Sequence, residues 1–200
     1  LETITIPDSV TSIGQDAFLD TSVTLHCTAG SAAHTYAKTY GIPFIATGET
    51  PEGLRYIIDE QGAMITGLKD FHLDSHVSVL RIPNELHGVA VNRIQERAFF
   101  FYSNLTDVTL PTGLVSIGDN AFCSTGLVSI DIPSGVKSIG AYAFQLCENL
   151  ASASLSSKLT STGDYVFDRC SNLTSVTLPD GLKSIGNYAF NECGKLASVS

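Results

Sequence analysis

The fold is decided by a 23-residue phrase that recurs along the chain, and its clearest copy is LTSVTLPDGLKSIGNYAFNECGK, from Leu173 to Lys195. Three copies precede it without a gap: LASASLSSKLTSTGDYVFDRCSN from Leu150, LVSIDIPSGVKSIGAYAFQLCEN from Leu127 and LTDVTLPTGLVSIGDNAFCSTG from Leu105. The phrase also opens the chain as LETITIPDSVTSIGQDAF, and a stretched copy, VLRIPNELHGVAVNRIQERAF, ends at Phe99. Such a period indicates a repeat architecture, in which each unit forms one coil of a solenoid.

The first third of each copy has the pattern of a strand. In the clearest copy, Leu173, Val176 and Leu178 are apolar, whereas Ser175 and Thr177 between them are polar. Alternate side chains of a strand point to opposite faces, so this pattern predicts a short strand with one buried face.

The rest of the copy carries turn residues and a second apolar pair. Pro179-Asp180-Gly181 ends the first strand, because proline cannot donate to a ladder and Asp-Gly favours a turn. Leu182 and Ile185 offer a second short apolar segment, and Asn187–Phe190 predicts one helical or 3₁₀ turn that returns the chain. We therefore expect a β-rich solenoid whose coils stack with parallel strands ~4.8 Å apart.

The consensus LxxVxLPxGLxSIGxxAFxxCxxL resembles the BspA-like class of leucine-rich repeat found in surface proteins of bacteria and some parasitic protists. The match covers about residues 1–25 and 79–200. Departures at Ser156, Thr162 and Val166 make the coil that contains them the least regular. The resemblance implies a leucine-rich-repeat fold and adhesion to host or neighbouring-cell proteins, with extracellular matrix proteins as the usual partners.

Residues 21–48 have the pattern of an array that comes to its end. Val23–Cys27 predicts a last strand, and Ala32–Tyr40 predicts a short helix with Ser31 as its N-cap and Gly41 as its stop. The apolar IPFIA that follows predicts a further strand. The resemblance implies the same ending, because AGSAAHTYAKTYGIPF is similar to the segment that commonly closes such arrays.

The best linker in the chain is Thr47–Gly53, which is rich in turn residues. After it, LRYIIDEQGAMITGL alternates on both sides of a central Glu-Gln-Gly and predicts a β-hairpin at about 54–68. We interpret this hairpin as the entry cap of a second array. The predicted division is therefore a first leucine-rich-repeat block over 1–48 and a second over 49–200, with repeats from about residue 79 onward.

Composition and charge exclude several classes of protein. With 44% hydrophobic residues the chain has ample apolar material for a core. Its 11 Lys and Arg against 20 Asp and Glu give a net charge of −9, which argues against a nucleic-acid partner. The apolar stretches are shorter than the ~18 residues that span a bilayer, so we expect no membrane insertion. The resemblance implies a protein at the cell surface or secreted, and we expect its secretion signal and anchor to lie outside this sequence.

The cysteine spacing follows the repeat. The five cysteines are Cys27, Cys123, Cys147, Cys170 and Cys193. The last three each stand three places after the repeat phenylalanine, which predicts thiols that fill one stacked interior position. A disulfide between neighbouring coils is the alternative. The chain has no CxxC or CxxH pair of the kind that binds zinc.

His72 and His76, with Asp70 and Asp74 nearby, are the strongest candidate for a metal pair, because on a helix the two imidazoles would share one face. The flanking sequence is not helical and lacks the HExxH glutamate, so we interpret this segment as a loop and expect no metal and no cofactor. GxSxG and glycine-rich phosphate loops are also missing. We expect no catalytic residues, and a hydrolase with its site in residues 49–80 is the remote alternative.

The exposed faces remain as candidate binding surface. Stacking aligns the outward residues of successive first strands into rows, and Phe100–Tyr102 follows the core Phe99 beside an inserted loop, Asn84–Val91. The candidate binding residues are Phe100, Phe101, Tyr102, Asp107, Thr109, Asp131, Ser154 and Thr177. A protein partner is the expected ligand. The alternative is a structural spacer that presents another domain, which the short hydroxyl side chains and the absence of Trp favour.

Overall fold

In a computed structural model the chain is a β-solenoid, and the structure describes residues 2–69 and 77–199. These residues form one helix, α1 (Ala32–Tyr40), and fifteen short strands. The strands are β1 (Glu2–Thr5), β2 (Val23–Thr28), β3 (Phe44–Glu49), β4 (Leu54–Asp59), β5 (Gly62–Leu68), β6 (Val79–Arg81), β7 (Glu85–Leu86), β8 (Val89–Ile94), β9 (Asp107–Thr109), β10 (Ser116–Ile117), β11 (Ser129–Asp131), β12 (Ser138–Ile139), β13 (Ser152–Ser154), β14 (Ser175–Thr177) and β15 (Ser198–Val199). The predicted leucine-rich-repeat solenoid with one short helix is confirmed.

The coils that begin at Leu105 and Leu127 have two short strands each, as the pattern predicts, whereas in the next two coils the second segment forms only an isolated bridge between Ser161 and Ser184. In β11, Ile130 is buried and its two neighbours are exposed. Pro133 ends this strand, and its carbonyl accepts a hydrogen bond from the Val136 N–H at 3.1 Å, which closes the turn. The second strand, β12, pairs in parallel with β10 of the preceding coil and places Ile139 beside Ile117.

A column of stacked phenylalanine rings runs through the interior of the coils. Ring centroids of successive members lie 5.1–5.7 Å apart, with planes within 22° of parallel. The members are Phe99, Phe122, Phe144, Phe167 and Phe190, of which the first four are fully buried. Burying such a ring contributes about 1.5–3 kcal/mol. Because each ring is covered by the coils on either side, the stability of a coil depends on its neighbours.

A run of turns leads from the second strand of one coil to the first strand of the next. Its N–H groups bind alternately to a carbonyl of the same turn and to a carbonyl of the next coil. The Ala121 N–H donates to the carbonyl three residues earlier at 3.3 Å, whereas the Phe122 N–H donates to the Ala143 carbonyl of the next coil at 2.8 Å. Asn120 and Ser124 adopt left-handed backbone, with φ of 55° and 58°. The 3₁₀-type hydrogen bond therefore occurs only at alternate residues, and the others bind one coil to the next.

Helix α1 begins and ends at the predicted residues. The Ser31 hydroxyl accepts a hydrogen bond from the His34 N–H at 3.2 Å, and Gly41 closes the helix in left-handed backbone, with φ of 65°. Its buried face, which includes Ala33 and Ala37, lies against β2 and β3. In the part of the chain that the structure describes, no helix has the length and apolar character needed to cross a bilayer.

The predicted hairpin is formed by β4 and β5, which pair antiparallel with Leu54 opposite Leu68. Among the described residues it lies in a nine-stranded sheet of order β1-β2-β3-β4-β5-β8-β10-β12, with β7 paired to β8. At one end of this sheet lies β1, the first strand of the opening copy, and at the other end lie β10 and β12, the second strands of later coils. The β4–β5 hairpin joins these two parts of the sheet. The division into blocks 1–48 and 49–200, with the hairpin as an entry cap, stays a prediction.

Candidate functional site

The first strands of the later coils form the exposed rows that the repeat predicts. Strands β11, β13, β14 and β15 pair in parallel, so that Asp131, Ser154 and Thr177 stand side by side in register and all three are exposed. These three residues form one row of the candidate surface. We use the term first-strand face for the outward side of β6, β9, β11, β13, β14 and β15, which includes this row.

The row is interrupted between β9 and β11. Strand β9 pairs with β6, which sets Asp107 beside Val79 and Thr109 beside Arg81. The hydrogen bond from the Val128 N–H to the Thr106 carbonyl, at 3.1 Å, still joins the two coils. The coil from Leu105 to Gly126 is one residue shorter than those that follow it, which coincides with this break. The five predicted row residues therefore lie on one side of the solenoid in two sets.

The aromatic cluster after Phe99 is only partly on the surface. Phe101 is 50% exposed and has left-handed backbone, with φ of 65°. Its ring contacts that of Phe100 edge to face at 4.3 Å, and the Arg97 guanidinium lies 5.8 Å from the Phe100 ring centre. Phe100 is half-buried. The sequence prediction that at least one of these rings is exposed holds for Phe101.

Tyr102 corrects the candidate list. Its side chain is only 5% exposed and packs edge to face against Phe99, with ring centroids 6.3 Å apart. A buried ring has no free face for a partner, so Tyr102 is a core residue. The sequence alone could not show that Phe101 is exposed and Tyr102 buried. Phe101 has left-handed backbone, so this segment does not follow the alternation of buried and exposed side chains that a strand would have.

The inserted loop is held by side-chain contacts to neighbouring segments. It forms the hairpin of β7 and β8 around His87-Gly88, both with positive φ, as a tight hairpin turn requires. Asn84 Oδ1 accepts a hydrogen bond from the Thr112 N–H at 2.9 Å, and His87 Nε2 lies 2.8 Å from the Tyr56 hydroxyl. These contacts join the loop to β4 and to the turn that follows β9.

Sequence reasoning missed a stack of surface tyrosines. The rings of Tyr142, Tyr165 and Tyr188 lie 4.9 Å apart, with planes 9° and 15° from parallel, and Tyr188 is 61% exposed. Each stands two residues before the repeat phenylalanine, in AYAF, DYVF and NYAF. That register was the signal in the sequence that could have found the stack.

The cysteines occupy interior positions and make a recurrent hydrogen bond. The thiols of Cys147, Cys170 and Cys193 donate to the carbonyls of Phe122, Phe144 and Phe167, at 3.1, 3.1 and 3.0 Å. All five cysteines are free. Burial raises the pKa of Cys147 to about 12 and also raises the pKa of Cys170. Protonated, hydrogen-bonded thiols agree with the predicted structural role.

The candidate metal pair, His72 and His76, lies outside the described residues, as do Asp70 and Asp74. Within residues 2–69 and 77–199, no group of three or more His, Cys, Asp or Glu side chains is arranged to hold a metal ion.

Comparison with known proteins agrees with the repeat. The family described as BspA type leucine rich repeat region matches the chain in six copies, over residues 1–81 and 71–197. No curated protein sequence matches it. The crystal structure of a T. pallidum leucine-rich-repeat protein, TpLRR, is 31% identical, with a TM-score of 0.69, and the match covers 76% of this chain and 71% of that one.

Two further solved structures share the fold. A leucine-rich-repeat protein from Bacteroides ovatus is 25% identical, with a TM-score of 0.50, over 78% of this chain and 51% of that one. A leucine rich cell surface protein from Faecalibacterium prausnitzii is 24% identical, with a TM-score of 0.50, over 76% of this chain and 54% of that one. This chain spans about half the length of these two relatives. With the family match extending over nearly its whole length, the chain belongs to the BspA-type leucine-rich-repeat family.

Proposed function

We propose that this chain is a non-catalytic protein-binding module that acts at the cell surface in adhesion to host or neighbouring-cell proteins. The observation that carries the proposal is the in-register exposed row of Asp131, Ser154 and Thr177 on the first-strand face. Leucine-rich-repeat proteins are suited to protein–protein interaction and are generally non-catalytic.

The geometry of the row favours a protein ligand. Neighbouring members stand one strand spacing apart, ~4.8 Å, on a sheet that is fixed by the core beneath it. Side chains this short lose little conformational freedom when a partner covers them, and their oxygen atoms can hydrogen-bond across the interface. A rigid and extended surface is the form in which solenoid proteins contact their partners.

Phe101 supplies an apolar anchor of the kind that contact surfaces use. Its ring is half exposed and is held in place by the Phe100 ring and, behind that, by Arg97. Aromatic side chains that are pre-positioned in this way contribute strongly to binding energy. We propose Phe100 and Phe101 as a second contact region, without Tyr102.

The proposed location at the cell surface is based on related proteins. BspA-type proteins are often surface-associated, and the Faecalibacterium prausnitzii relative is described as a cell surface protein. The net charge of −9 makes copies of this protein repel one another. This suits a surface protein whose exposed face has to stay free for other partners.

The test is a binding screen of the protein against immobilised extracellular-matrix and serum proteins. Ser154→Arg places a long cation in the middle of the row, and Ser157→Arg, on the exposed turn after the strand, adds the same charge outside it. We expect saturable binding that Ser154→Arg weakens at least tenfold and Ser157→Arg leaves unchanged.

The aromatic region is tested in the same screen. Phe101→Ser removes the exposed ring, and Leu19→Ser removes a side chain that is 66% exposed on a distant coil. Loss of binding in Phe101→Ser alone would support the second contact region. Failure of the protein to bind any member of the panel would favour the spacer function, in which recognition belongs to other domains.

A further inference from the structure

The tyrosine stack of Tyr142, Tyr165 and Tyr188 lies in the run of turns and not on the first-strand face. Three successive coils contribute one ring each, and neighbouring ring centroids are 4.9 Å apart. The Tyr142 N–H donates to the Asp164 carbonyl at 2.9 Å, and the Tyr165 N–H donates to the Asn187 carbonyl at 2.8 Å. These hydrogen bonds between coils fix the spacing of the backbones, so neighbouring rings stay within reach of one another.

The rings of the stack reach the solvent. Tyr188 is 61% exposed, and the other two are half-buried. Within the described part of the chain, none of the three hydroxyl groups has a hydrogen-bond partner, whereas the Tyr36 hydroxyl donates to the Gln15 carbonyl at 2.9 Å. The phenols of the stack are therefore free to release their protons to water when they are oxidised.

Few other side chains of this protein compete for an oxidant. The chain has no Trp and one Met. Four of the five cysteines are buried, and the half-buried one, Cys193, donates its S–H to the Phe167 carbonyl at 3.0 Å. Oxidation of a cysteine needs thiolate character and access to solvent, which these thiols lack. Exposed phenols are therefore the groups that a one-electron oxidant meets on this surface.

Oxidation of two neighbouring tyrosines can join their rings. Each phenol loses one electron and its hydroxyl proton and becomes a neutral phenoxyl radical, whose unpaired electron is shared with the ring carbons next to the C–O carbon. Two radicals couple through one such carbon of each ring, and a C–C bond forms. The hydrogen atom on each of these carbons then moves to the phenolic oxygen, which restores both aromatic rings. Hydrogen peroxide, used by a haem peroxidase, takes up the two electrons and two protons and is reduced to two molecules of water.

We propose that the tyrosine stack is a site of oxidative cross-linking, at which a dityrosine bond joins Tyr165 to Tyr142 or to Tyr188. The stack holds the reacting rings side by side, which gives each radical a high effective concentration of its partner. The rings can turn their edges toward each other, because no described residue holds their hydroxyl groups. The net charge of −9 disfavours cross-links between molecules. The bond ties neighbouring coils together covalently.

Tyr40 supplies the matched control. It is 48% exposed, and its ring centroid lies 4.7 Å from that of Tyr36. Tyr36 is buried and its hydroxyl is bound to the Gln15 carbonyl, so it cannot release its proton to water. We therefore expect no cross-link in this second pair, although its rings are as close as those of the stack.

The test is treatment of the protein with hydrogen peroxide and a haem peroxidase, followed by measurement of dityrosine fluorescence. Free tyrosine is the positive control for the reaction. We expect fluorescence in a band that migrates as the monomer on a denaturing, reducing gel. Trypsin cleaves after Arg169 and Lys183, so Tyr165 and Tyr188 fall in different peptides. A cross-link joins these peptides, or that of Tyr165 to that of Tyr142, in a product that has lost two hydrogen atoms.

Tyr165→Phe is the test variant, because it keeps a ring in the middle of the stack but cannot form a phenoxyl radical. We expect dityrosine fluorescence about tenfold lower in Tyr165→Phe, since the two remaining tyrosines are no longer neighbours, and no change in Tyr40→Phe. The proposal is overturned if the fluorescence persists in Tyr165→Phe, if it occurs only in dimers, or if none forms while free tyrosine reacts.

Discussion

The rings of Phe144 and Phe167, from neighbouring coils, stack with their centroids 5.4 Å apart and their planes 12° from parallel. Both rings are fully buried. Each ring packs between the rings of the two neighbouring coils, so the packing of one coil depends on that of the next. A ring removed from its middle leaves a cavity that the stacked backbones cannot collapse to fill.

Phe167→Ala should therefore lower the free energy of unfolding by about 3–5 kcal/mol. Phe101→Ala, which truncates a half-exposed ring, should cost less than about 1 kcal/mol, and Ser175→Ala on the first-strand face should be within about 0.5 kcal/mol of the wild type. Urea denaturation of the three variants measures these differences. Small and equal losses would mean that the inward and outward faces of the coil are reversed.

Gly163→Ala should destabilise the stack by about 1–3 kcal/mol. A Cβ at this position would lie 2.5 Å from the backbone carbonyl of Gly140 in the preceding coil, and backbone cannot move aside as a flexible side chain can. Gly194→Ala is the matched control, because no atom lies within 4 Å of a Cβ there. Thermal unfolding compares the two. Equal melting temperatures would show that the coils can separate at Gly163 without cost.

Alkaline pH should destabilise the fold through its buried thiols. Burial raises the pKa of Cys147 from 9.0 to about 12, so the folded state retains a proton that the unfolded state loses above pH 9. Stability should therefore fall as the pH rises above 9, by ~1.4 kcal/mol per pH unit for this thiol. Cys147→Ala should flatten the slope of the urea midpoint against pH, measured under reducing conditions. An unchanged slope would assign the alkaline loss to other groups.

Low pH should destabilise the folded state through His34, a buried residue of α1. Burial, Lys38 and His87 lower its pKa below 6.5, so the unfolded state takes up the proton first as the pH falls. Stability should be unaffected by this group above pH 6.5 and should decline as the pH falls below that value. Melting temperatures between pH 7.5 and 5 measure the decline, which His34→Phe should reduce and His26→Gln, as the matched control, should retain. A decline of the same size in His34→Phe would contradict this assignment.

The prediction of α1 was accurate to the residue, whereas the prediction for the aromatic cluster was only partly right. Ser31 and Gly41 act on backbone groups within a few residues, so their identities alone specify where the helix begins and ends. Phe101 and Tyr102 are adjacent and chemically alike, and one is exposed while the other is buried. Their difference arises from left-handed backbone and from packing against Phe99.

The sequence by itself determined the coil: its period, the inward positions, the turn residues and the interior sites of the phenylalanines and cysteines. It could do so because these features depend on near neighbours and recur in register, so each copy confirms the others. Only the tertiary structure decided how the hairpin carries one sheet from the first-strand side to the second-strand side. It also decided that His34 of α1 contacts His87 in the turn between β7 and β8, because these segments lie far apart in the chain and no local or periodic pattern in the sequence relates them.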